Sequence, residues 1–505
     1  MRRLFVLRKP GHLRLLESLI IDSNVHKTTV YLTQNLLADK DWVFLNQFKK
    51  TNSHINFIIE DSNSNFVENF SDYCYSQIYL LHYQQSMLRS KEYLKTRAIN
   101  EVRRLYPFST KITLGLGQIP LLRHIYRKVL HKLIEITASF SKSKKILESL
   151  KPDLLIVSPL IELWSRQNSW LSNARDLSIP SVYAVHSWDN LTTKGPYAIQ
   201  ADHIILWNVK QIQELENLHG SVRSQIMVSG SYGYDKWFEA KKSNSTNYLE
   251  SDIRKKLDAN KRTLLFLGSS KSISGTLELN IAAEIADAIM QIGWQMVYRM
   301  HPQNPPDREI DSKNCIIFPE FPEIPMRGKE MTAFVESILA SDAVMGVNTS
   351  AMFESLILDR PVISLNLDNF KQGQADTIHY DHILFSNAIF KVYSISELTN
   401  LLLNLEIREK DRHRSEFLTQ FIRPQGIENP ATDLVLEFFN ETRIENKRSK
   451  AKMDSLVGSF TNIIVFFSGI IFIQPFYAID LVVTRELRKR RARKHTDMSR
   501  FGKLQ

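Results

Sequence analysis

The chain has 505 residues, 43% of them hydrophobic and 24% charged, which is enough for two packed domains rather than one. The two cysteines, Cys74 and Cys315, argue against a disulfide framework or a cysteine-rich zinc site and favour a reducing compartment. The net charge is +11, but residues 443–505 hold 14 Lys and Arg against 5 Asp and Glu, so the body is near neutral and an enzyme acting on nucleic acid is not favoured.

Strand-like and helix-like segments alternate along the first half of the chain. A strand at residues 3–8 is followed by a Pro-Gly-His turn and by a helical pattern from Leu13. Helix-rich sequence extends from about residue 67 to residue 149. The pattern predicts further strands at residues 28–32, 55–59, 153–157, 181–185 and 201–207.

The same alternation resumes after about residue 248. Helices are predicted at about residues 276–292 and from residue 351, and strands at residues 261–267, 294–300, 343–347 and 361–365. Repeated strand–helix units predict parallel sheets with crossover helices. We therefore predict an α/β protein with two Rossmann-like domains facing a cleft. The predicted parts are an acceptor-side domain at 1–235, a nucleotide-donor-binding domain at 236–442 and a tail at 443–505.

The strongest candidate site is the segment at residues 341–354, where a strand meets small polar residues and then a helix. The N–H groups and partial positive charge of a helix N-terminus suit a pyrophosphate. Thr349 and Ser350 add hydroxyl donors, and Glu354 lies one turn into the helix, within reach of a ribose. The alternative is that Thr349 or Ser350 only caps the helix.

Two more strand ends of the second half carry polar residues. Arg299 and His301 end one strand, and strand C-termini line the ligand crevice of such sheets. Ser269 and Ser270 follow another strand as a small-residue turn, whose backbone N–H groups can approach phosphate. We predict that these four residues bind the donor. A histidine that only closes a turn is the alternative for His301.

Titratable residues also follow the predicted strand at 181–185. A general base must deprotonate an acceptor hydroxyl, and His186 and Asp189 are candidates for that role. A turn held by hydrogen bonds of Asp189 is the structural alternative. His12, after the first strand, is a further candidate base. The histidines within residues 374–382 lack a defined ligand set, so no metal site is predicted.

Six segments between residues 185 and 426 carry a common pattern. They are VHSWDNLTTKG at 185–195, ADHIILWN at 201–208, IMVSGSYGYD at 226–235, RMHP at 299–302, SDAVMGVNTSAMFESLILDRPVI at 341–363 and FIRPQG at 421–426. This pattern resembles GT-B glycosyltransferase-like proteins of bacterial surface-polysaccharide synthesis. It is also similar to the CDP-glycerol glycerophosphotransferase group, which shares the fold.

The resemblance implies roles for particular residues. It implies donor binding by His301, Thr349, Ser350 and Glu354, and an acceptor-side catalytic role for His186 or Asp189. It also implies that the nucleotide-sugar is a substrate and that neither a catalytic metal nor a cofactor is needed.

Two departures from the polyol-phosphate group favour a sugar as the transferred group. A His-Gly-Thr-Pro type loop is replaced by residues 186–189, and an Asp-Tyr-Ser-Ser type stretch by residues 347–350. The predicted function is a glycosyltransferase that moves a sugar from a nucleotide-sugar donor to an acceptor. The predicted acceptor is a lipid-linked glycan of the cell envelope. Three alternatives stay open: a CDP-polyol-dependent polyol-phosphate transferase, a sugar-nucleotide epimerase, and a non-catalytic scaffold on the same fold.

The tail combines an uncharged stretch with basic flanks. Residues 455–479 carry no charge and are long enough to span a bilayer as a helix, but polar residues and Pro475 interrupt them. Positive charge prefers the cytoplasmic side, and both flanks are basic. We therefore predict a C-terminal membrane-associated helical segment that is monotopic or re-entrant on an anionic membrane, rather than a single span or a buried helix. The predicted location is the cytoplasmic face of the inner membrane.

Overall fold

A computed structural model places the chain in two compact units, residues 1–227 with 434–505, and residues 228–433. Each unit is built on one sheet with helices between its strands. The structure describes residues 1–21, 27–34, 39–61, 65–85, 88, 91–243, 251–274, 277–302, 304, 314–321, 328–374, 377–405, 411–445 and 473–486.

Unit 1 has a seven-stranded sheet of order β3-β2-β1-β4-β5-β6-β7, and every pair whose register is described is parallel. Phe5 and Val6 of β1 pair with Ile156 and Val157 of β4, and all four are buried, as expected where helices cover both faces of a parallel sheet. The strand order reverses between β1 and β4, the position at which open α/β sheets bind ligands. The strands are β1 (Arg2–Leu7), β2 (Lys27–Leu32), β3 (Asn56–Ile59), β4 (Leu154–Ser158), β5 (Ser181–Ala184), β6 (His203–Leu206) and β7 (Gln225–Val228).

Helices fill the connections of this sheet, and the longest of them pack together. Helix α3 packs along α6, and Tyr73 of α3 shares a hydrogen bond of 2.8 Å with Ser109 of α5. Asn65 caps α3 by accepting from the Glu68 N–H, and the Glu68 side chain accepts from the Asn65 N–H. The helices are α1 (Leu13–Ile21), α2 (Asp39–Thr51), α3 (Phe66–His82), α4 (Glu92–Arg103), α5 (Pro107–Gln118), α6 (Pro120–Ala138), α7 (Lys142–Leu150), α8 (Asn168–Asp176), α9 (Asn190–Thr193) and α10 (Val209–His219).

Unit 2 repeats the same plan with six parallel strands in the order β10-β9-β8-β11-β12-β13, reversing between β8 and β11. The strands are β8 (Arg262–Leu267), β9 (Trp294–Arg299), β10 (Cys315–Ile317), β11 (Ala343–Gly346), β12 (Val362–Leu365) and β13 (Phe390–Val392). The helices are α11 (Asp235–Ser243), α12 (Lys271–Ser274), α13 (Leu277–Met290), α14 (Gly328–Leu339), α15 (Ala351–Ile357), α16 (Ile378–Leu384), α17 (Ile395–Leu403) and α18 (Asp411–Phe417), followed by a π-helical turn at Leu418–Ile422.

The chain returns to unit 1 through α19 (Ala431–Glu445), and a last helix, α20, covers residues 474–486. The carboxylate of Asp480 caps α5, since its two oxygens accept the N–H groups of Phe108 at 2.7 Å and Ser109 at 3.0 Å. Pro475 lies in the first turn of α20, where its missing N–H costs no helical hydrogen bond.

The membrane prediction for the tail falls largely on residues that the structure does not describe. Residues 455–472 of the uncharged stretch lie outside the described residues. Among the helices that are described, none has both the length and the apolar character needed to cross a membrane. Membrane association of residues 443–505 therefore stays a prediction.

Every strand predicted from the sequence is present to within two residues at either end, and the two parallel α/β sheets are confirmed. Three strands were not predicted: β7, β10 and β13. All three lie at sheet edges and have only three or four residues. Because edge strands are short and partly exposed, their side chains lack the continuous apolar pattern of a central parallel strand.

Candidate active site

Four titratable side chains meet beyond the carboxyl ends of β1, β4 and β5 in unit 1. Arg8 Nη1 lies 2.9 Å from Glu162 Oε1, and His12 Nε2 lies 4.0 Å from Glu162 Oε2. The rings of His12 and His186 are tilted against each other with centroids 5.2 Å apart. These side chains, named the Glu162 cluster here, lie at the point where the strand order of the sheet reverses.

The loop at residues 159–167, which carries Glu162, is held in place by a buried glutamine. Gln167 Nε2 donates to the carbonyl oxygens of Val6 and Ser158 at 2.7 Å each, and its Oε1 accepts from the Leu160 N–H at 2.6 Å. Left-handed φ values in non-glycine residues cost about 1–3 kcal/mol each and persist where the surrounding structure over-determines them. The loop has three: Leu160, Trp164 and Arg166.

Burial keeps the two histidines of the cluster uncharged at neutral pH. It lowers the pKa of His186 to about 4, against the opposing effect of the carboxylates of Glu162 and Asp189. It also lowers the pKa of His12 well below its usual value, and the neighbouring His186 adds to that effect. Among the described residues, neither Nδ1 of these histidines nor Glu162 Oε2 has a hydrogen-bond partner. These polar atoms are therefore placed to meet a ligand.

Asp189 lies in the turn after β5 but is engaged by that turn. Its Oδ2 is 3.2 Å from Lys194 Nζ and accepts from Thr193 Oγ1 at 3.2 Å, and its Oδ1 accepts from Ser187 Oγ. Asp189 is also the main cause of the raised pKa of Lys194. His186 and Asp189 were both predicted as catalytic bases. His186 Nδ1 has no hydrogen-bond partner among the described residues, whereas the carboxylate of Asp189 forms hydrogen bonds within its own turn.

A pocket with a cavity volume of about 40 Å³ lies at the ends of β2, β3 and β4 in the same unit. Arg166 lies between two of its carboxylates, with Nε 2.9 Å from Asp72 Oδ2 and Nη1 3.9 Å from Glu60 Oε1. Burial raises the pKa of Glu60 to about 7 and that of Asp72 to about 6. Aromatic rings, Tyr31 and Trp170 among them, complete the wall. Carboxyl, guanidinium and aromatic groups therefore line this small pocket.

In unit 2, the backbone of the turn after β8 lies close to the backbone at residues 299–301, and the turn carries a buried hydroxyl group. A Cβ on Gly268 would lie 2.9 Å from the backbone nitrogen of His301 and 3.0 Å from the Arg299 carbonyl oxygen, so glycine is needed there. The Ser269 N–H donates to both carboxylate oxygens of buried Glu278 at 3.0 Å. Ser269 Oγ is buried and has no hydrogen-bond partner in the described part of the chain. Ser270 follows it, and its carbonyl oxygen closes the next turn by accepting from Ile273.

The turn after β11 carries Thr349 and Ser350 at the start of the seven-residue helix α15. The Ser350 side chain is exposed and does not cap this helix, while Thr349 Oγ1 accepts from the Ala351 N–H at 3.4 Å. Asn348 and Gln374 brace the turn: their amide groups donate to the carbonyl oxygens of Gly373 and Val347 at 2.6 Å each. Glu354 lies one turn along α15 and is partly buried.

The two predicted residues at the end of β9 have different surroundings. The guanidinium of buried Arg299 is directed at α14, where it lies 4.8 Å from the ring centroid of Phe334 and donates to Ser337 Oγ at 3.2 Å. His301 is partly buried, and its carbonyl oxygen accepts from the Asn304 N–H at 2.9 Å. Arg299 thus supports the packing of α14. Ser269, Ser270, His301, Thr349 and Ser350 follow three adjacent strands of one sheet.

The sequence did not predict Arg8, Glu162 or the pocket beside them. One signal was present, because Glu162 is the only charged residue between Asp153 and Arg166, directly after a predicted buried strand. The pocket had no such signal, since its walls come from segments far apart in the chain.

No protein-family model and no curated protein sequence matches this chain. Solved structures with a similar fold include the UDP-GlcNAc 2-epimerase of Neisseria meningitidis bound to UDP-GlcNAc, with a TM-score of 0.51, 14% identity, and coverage of 87% of this chain and 100% of that one. The UDP-GlcNAc 2-epimerase of Methanocaldococcus jannaschii has a TM-score of 0.50, 12% identity, and coverage of 87% and 100%. The glycosyltransferase SnogD of Streptomyces nogalater is more distant, with a TM-score of 0.43, 12% identity, and coverage of 86% and 99%. At these identities the likeness shows the fold: two parallel-sheet α/β units of the kind found in GT-B proteins.

Proposed function

We propose that the protein is a glycosyltransferase that moves a sugar from a nucleotide-sugar donor to a lipid-linked glycan acceptor of the cell envelope. The observation that carries the proposal is the Glu162 cluster, in which buried polar atoms lack partners among the described residues at the strand-order reversal of the first sheet. Ligands of open α/β sheets bind at that position, and a positioned histidine is the commonest general base.

In the proposed reaction, His186 Nδ1 accepts the proton of the attacking acceptor hydroxyl. The hydroxyl oxygen forms a bond to the anomeric carbon, and the bond from that carbon to the diphosphate breaks, so the nucleoside diphosphate leaves with the electron pair. The carboxylate of Glu162 then stabilises the imidazolium, as its effect on the pKa of His186 indicates.

Unit 2 is proposed to hold the nucleotide of the donor. Hydroxyl groups of the turns after β8 and β11 are donors of the kind that phosphate oxygens accept. The proposed contacts are Ser269, Ser270, His301, Thr349 and Ser350 to the diphosphate and Glu354 to the ribose. The reaction as proposed uses no metal or cofactor, and it takes place at the cytoplasmic face of the inner membrane.

A second candidate is a sugar-nucleotide epimerase. The fold match to a structure described as UDP-GlcNAc 2-epimerase bound to UDP-GlcNAc favours it, since that protein shares the architecture over its full length. A transfer of polyol phosphate from a CDP-polyol is the remaining enzymatic alternative. If the protein is instead a scaffold without catalysis, it converts no donor.

One experiment separates these functions. The protein is incubated with UDP-, GDP-, CMP- and CDP-linked donors in deuterated water, with and without an extract of envelope glycolipids, and nucleotide release and deuterium incorporation are measured. A glycosyltransferase releases nucleotide only with acceptor and leaves the sugar carbons without deuterium. Deuterium on a sugar carbon without any acceptor would support the epimerase instead, and no change in any donor would contradict an enzyme.

His186→Asn tests the proposed base in the same assay. We expect kcat to fall by about 10²–10⁴, because general-base catalysis contributes about that much. The binding of nucleotide, which is assigned to unit 2, should not change. His54→Asn, at an exposed position, is the matched control and should leave both quantities unchanged. A kcat for His186→Asn equal to that of the control would remove His186 from the mechanism.

A further inference from the structure

The corner formed by α5 and the first turns of α6 has an unusual charge distribution. Residues 102–134 contain seven Lys and Arg and no Asp or Glu. Two prolines start the two helices, and the turn between them is a single residue, Ile119. The segment at residues 107–129, named the α5–α6 corner here, is therefore a tight hairpin of two helices whose charged residues are all basic.

The tip of the α5–α6 corner is apolar and exposed. Leu121 is 67% exposed and Ile119 is 51% exposed, although both are large aliphatic side chains. A contiguous exposed apolar patch of this kind marks a surface that interacts with another phase or molecule. Leu122 and Ile125, in the first turns of α6, are exposed as well.

An apolar groove continues the patch towards the last described helix. It has a volume of about 290 Å³, and Ile125 and Val129 of α6 face Ile473 and Phe476 across it. The helix α20 also exposes aliphatic side chains, with Val482 among them. Apolar exposure thus extends from the tip of the corner along one side of unit 1.

Cations surround the tip. Lys111 and Lys128 are exposed on the two helices, and Arg123 is partly buried and donates to the Gln84 carbonyl oxygen at 3.3 Å. Lys and Arg at such positions place their charge at the level of lipid headgroups while apolar neighbours enter the acyl region. A second copy of the chain would bring like charges together, and a nucleic acid offers no apolar phase for the tip.

We propose that the α5–α6 corner inserts into a bilayer that contains anionic phospholipid. Ile119, Leu121, Leu122 and Ile125 enter the acyl region. Lys111 and Lys128 contact lipid phosphates. The membrane contact is thereby assigned to the folded body of unit 1, in addition to the predicted contact of the tail at 443–505. The proposed insertion of the α5–α6 corner does not depend on the proposed reaction, because membrane binding is measured without turnover.

Vesicle flotation of the full-length protein tests the proposal. Vesicles of phosphatidylcholine with phosphatidylglycerol should bind the protein, and rising salt should weaken the binding. Replacing two exposed aliphatic residues, as in L121E/I125E, should lower the partition constant by at least about tenfold, since each buries an aliphatic side chain in the membrane. L121Q is a milder variant and should give a smaller loss in the same direction.

Two controls sharpen the result. F385E/L403E replaces two exposed apolar residues of unit 2 by the same charge, and its binding should equal that of the wild type. K111Q/K128Q should reduce the preference for phosphatidylglycerol. Wild-type binding by a folded L121E/I125E variant would overturn the proposal and leave the tail as the membrane contact. A wild-type dimer that L121E/I125E converts to a monomer, seen by sedimentation, would overturn it in favour of self-association.

Discussion

At the scale of single residues, Glu162 organises the candidate active site. It is within 2.9 Å of a guanidinium nitrogen of Arg8 and 4.0 Å of a ring nitrogen of His12, and its charge opposes the lowering of the pKa of His186 by burial. A carboxylate beside a buried histidine favours the protonated form of that histidine. The effect of Glu162 on His186 is therefore measurable as a change in the pH dependence of the reaction.

Glu162→Gln should change the pH dependence of the reaction. The substitution removes a negative charge that raises the pKa of His186, so this pKa falls further and the acid limb of the kcat/KM profile moves to lower pH. We also expect kcat at neutral pH to drop by about tenfold or more, because the imidazolium loses a stabilising carboxylate. Glu148→Gln, on an exposed face of α7, serves as the control. An acid limb at the wild-type position would rule out this role of Glu162.

At the scale of elements, buried side chains hold helix ends and turns in place. His219, at the end of α10, is 4% exposed; its Nδ1 accepts from the Tyr197 N–H at 3.0 Å and its Nε2 lies 2.8 Å from the Leu191 carbonyl oxygen. This pairing suits the neutral ring with a proton on Nε2. Burial lowers the pKa of His219 from 6.5 to about 4.

The stability of unit 1 should therefore fall in acid. Because the pKa of His219 is lowered on folding, the unfolded chain binds more protons between pH 6.5 and pH 4, and stability decreases as the pH falls through that window. At pH 5 the loss from this one group is about 2 kcal/mol relative to pH 7. Urea unfolding at several pH values measures it. His219→Gln should flatten the dependence, whereas exposed His54→Gln should not; equal slopes for the two variants would contradict the assignment.

In unit 2, a buried ion pair holds two segments in place. These segments, at residues 226–235 and 421–426, belong to the pattern that suggested the fold family. Asp235 Oδ1 lies 3.0 Å from Arg423 Nε and 2.6 Å from its Nη2. The same carboxylate accepts the N–H groups of Ala431 at 3.2 Å and Thr432 at 2.7 Å, at the start of α19. The motifs at residues 226–235 and 421–426 are thus tied together by a structural contact.

Asp235→Asn should destabilise unit 2 strongly. It leaves the Arg423 guanidinium buried without its counter-charge, and breaking a buried pair in this way costs about 3–5 kcal/mol. The urea unfolding midpoint is the readout. Glu428→Gln removes one partner of the exposed Lys242–Glu428 pair and should leave the midpoint unchanged. If both variants had the same midpoint, the pair would not stabilise the fold.

At the scale of the whole molecule, the sequence predicted both sheets because their central strands are buried on both faces and read as apolar runs. Ser269, His301 and His186 follow the carboxyl ends of strands, as the sequence pattern predicted, and their roles in ligand binding stay predictions. The pattern could not separate Arg299, whose side chain turns to α14, from a ligand-facing residue. Side-chain direction depends on packing between elements, and the pattern along one strand does not contain it.

The pocket and the α5–α6 corner were missed for different reasons. Glu60 and Arg166 lie far apart in sequence and meet only after the sheet has formed, so no local spacing indicates their pairing. The corner was visible as an acid-free stretch at residues 102–134, but the exposure of its apolar side chains follows from how α5 and α6 pack on unit 1. An amphipathic pattern alone would have placed those residues in the core.

The most direct test of the central claim, that the protein binds a sugar nucleotide through unit 2, is the change in melting temperature with a panel of nucleoside diphosphates. A ligand at a hundredfold its Kd stabilises by about 2.7 kcal/mol. We predict that one member of the panel raises the melting temperature of the wild type. In the Thr349→Ala/Ser350→Ala variant the same nucleotide should bind about tenfold or more weakly, because hydrogen bonds to charged groups contribute about 1.5–3 kcal/mol each. A melting temperature that no nucleotide of the panel changes would contradict the account.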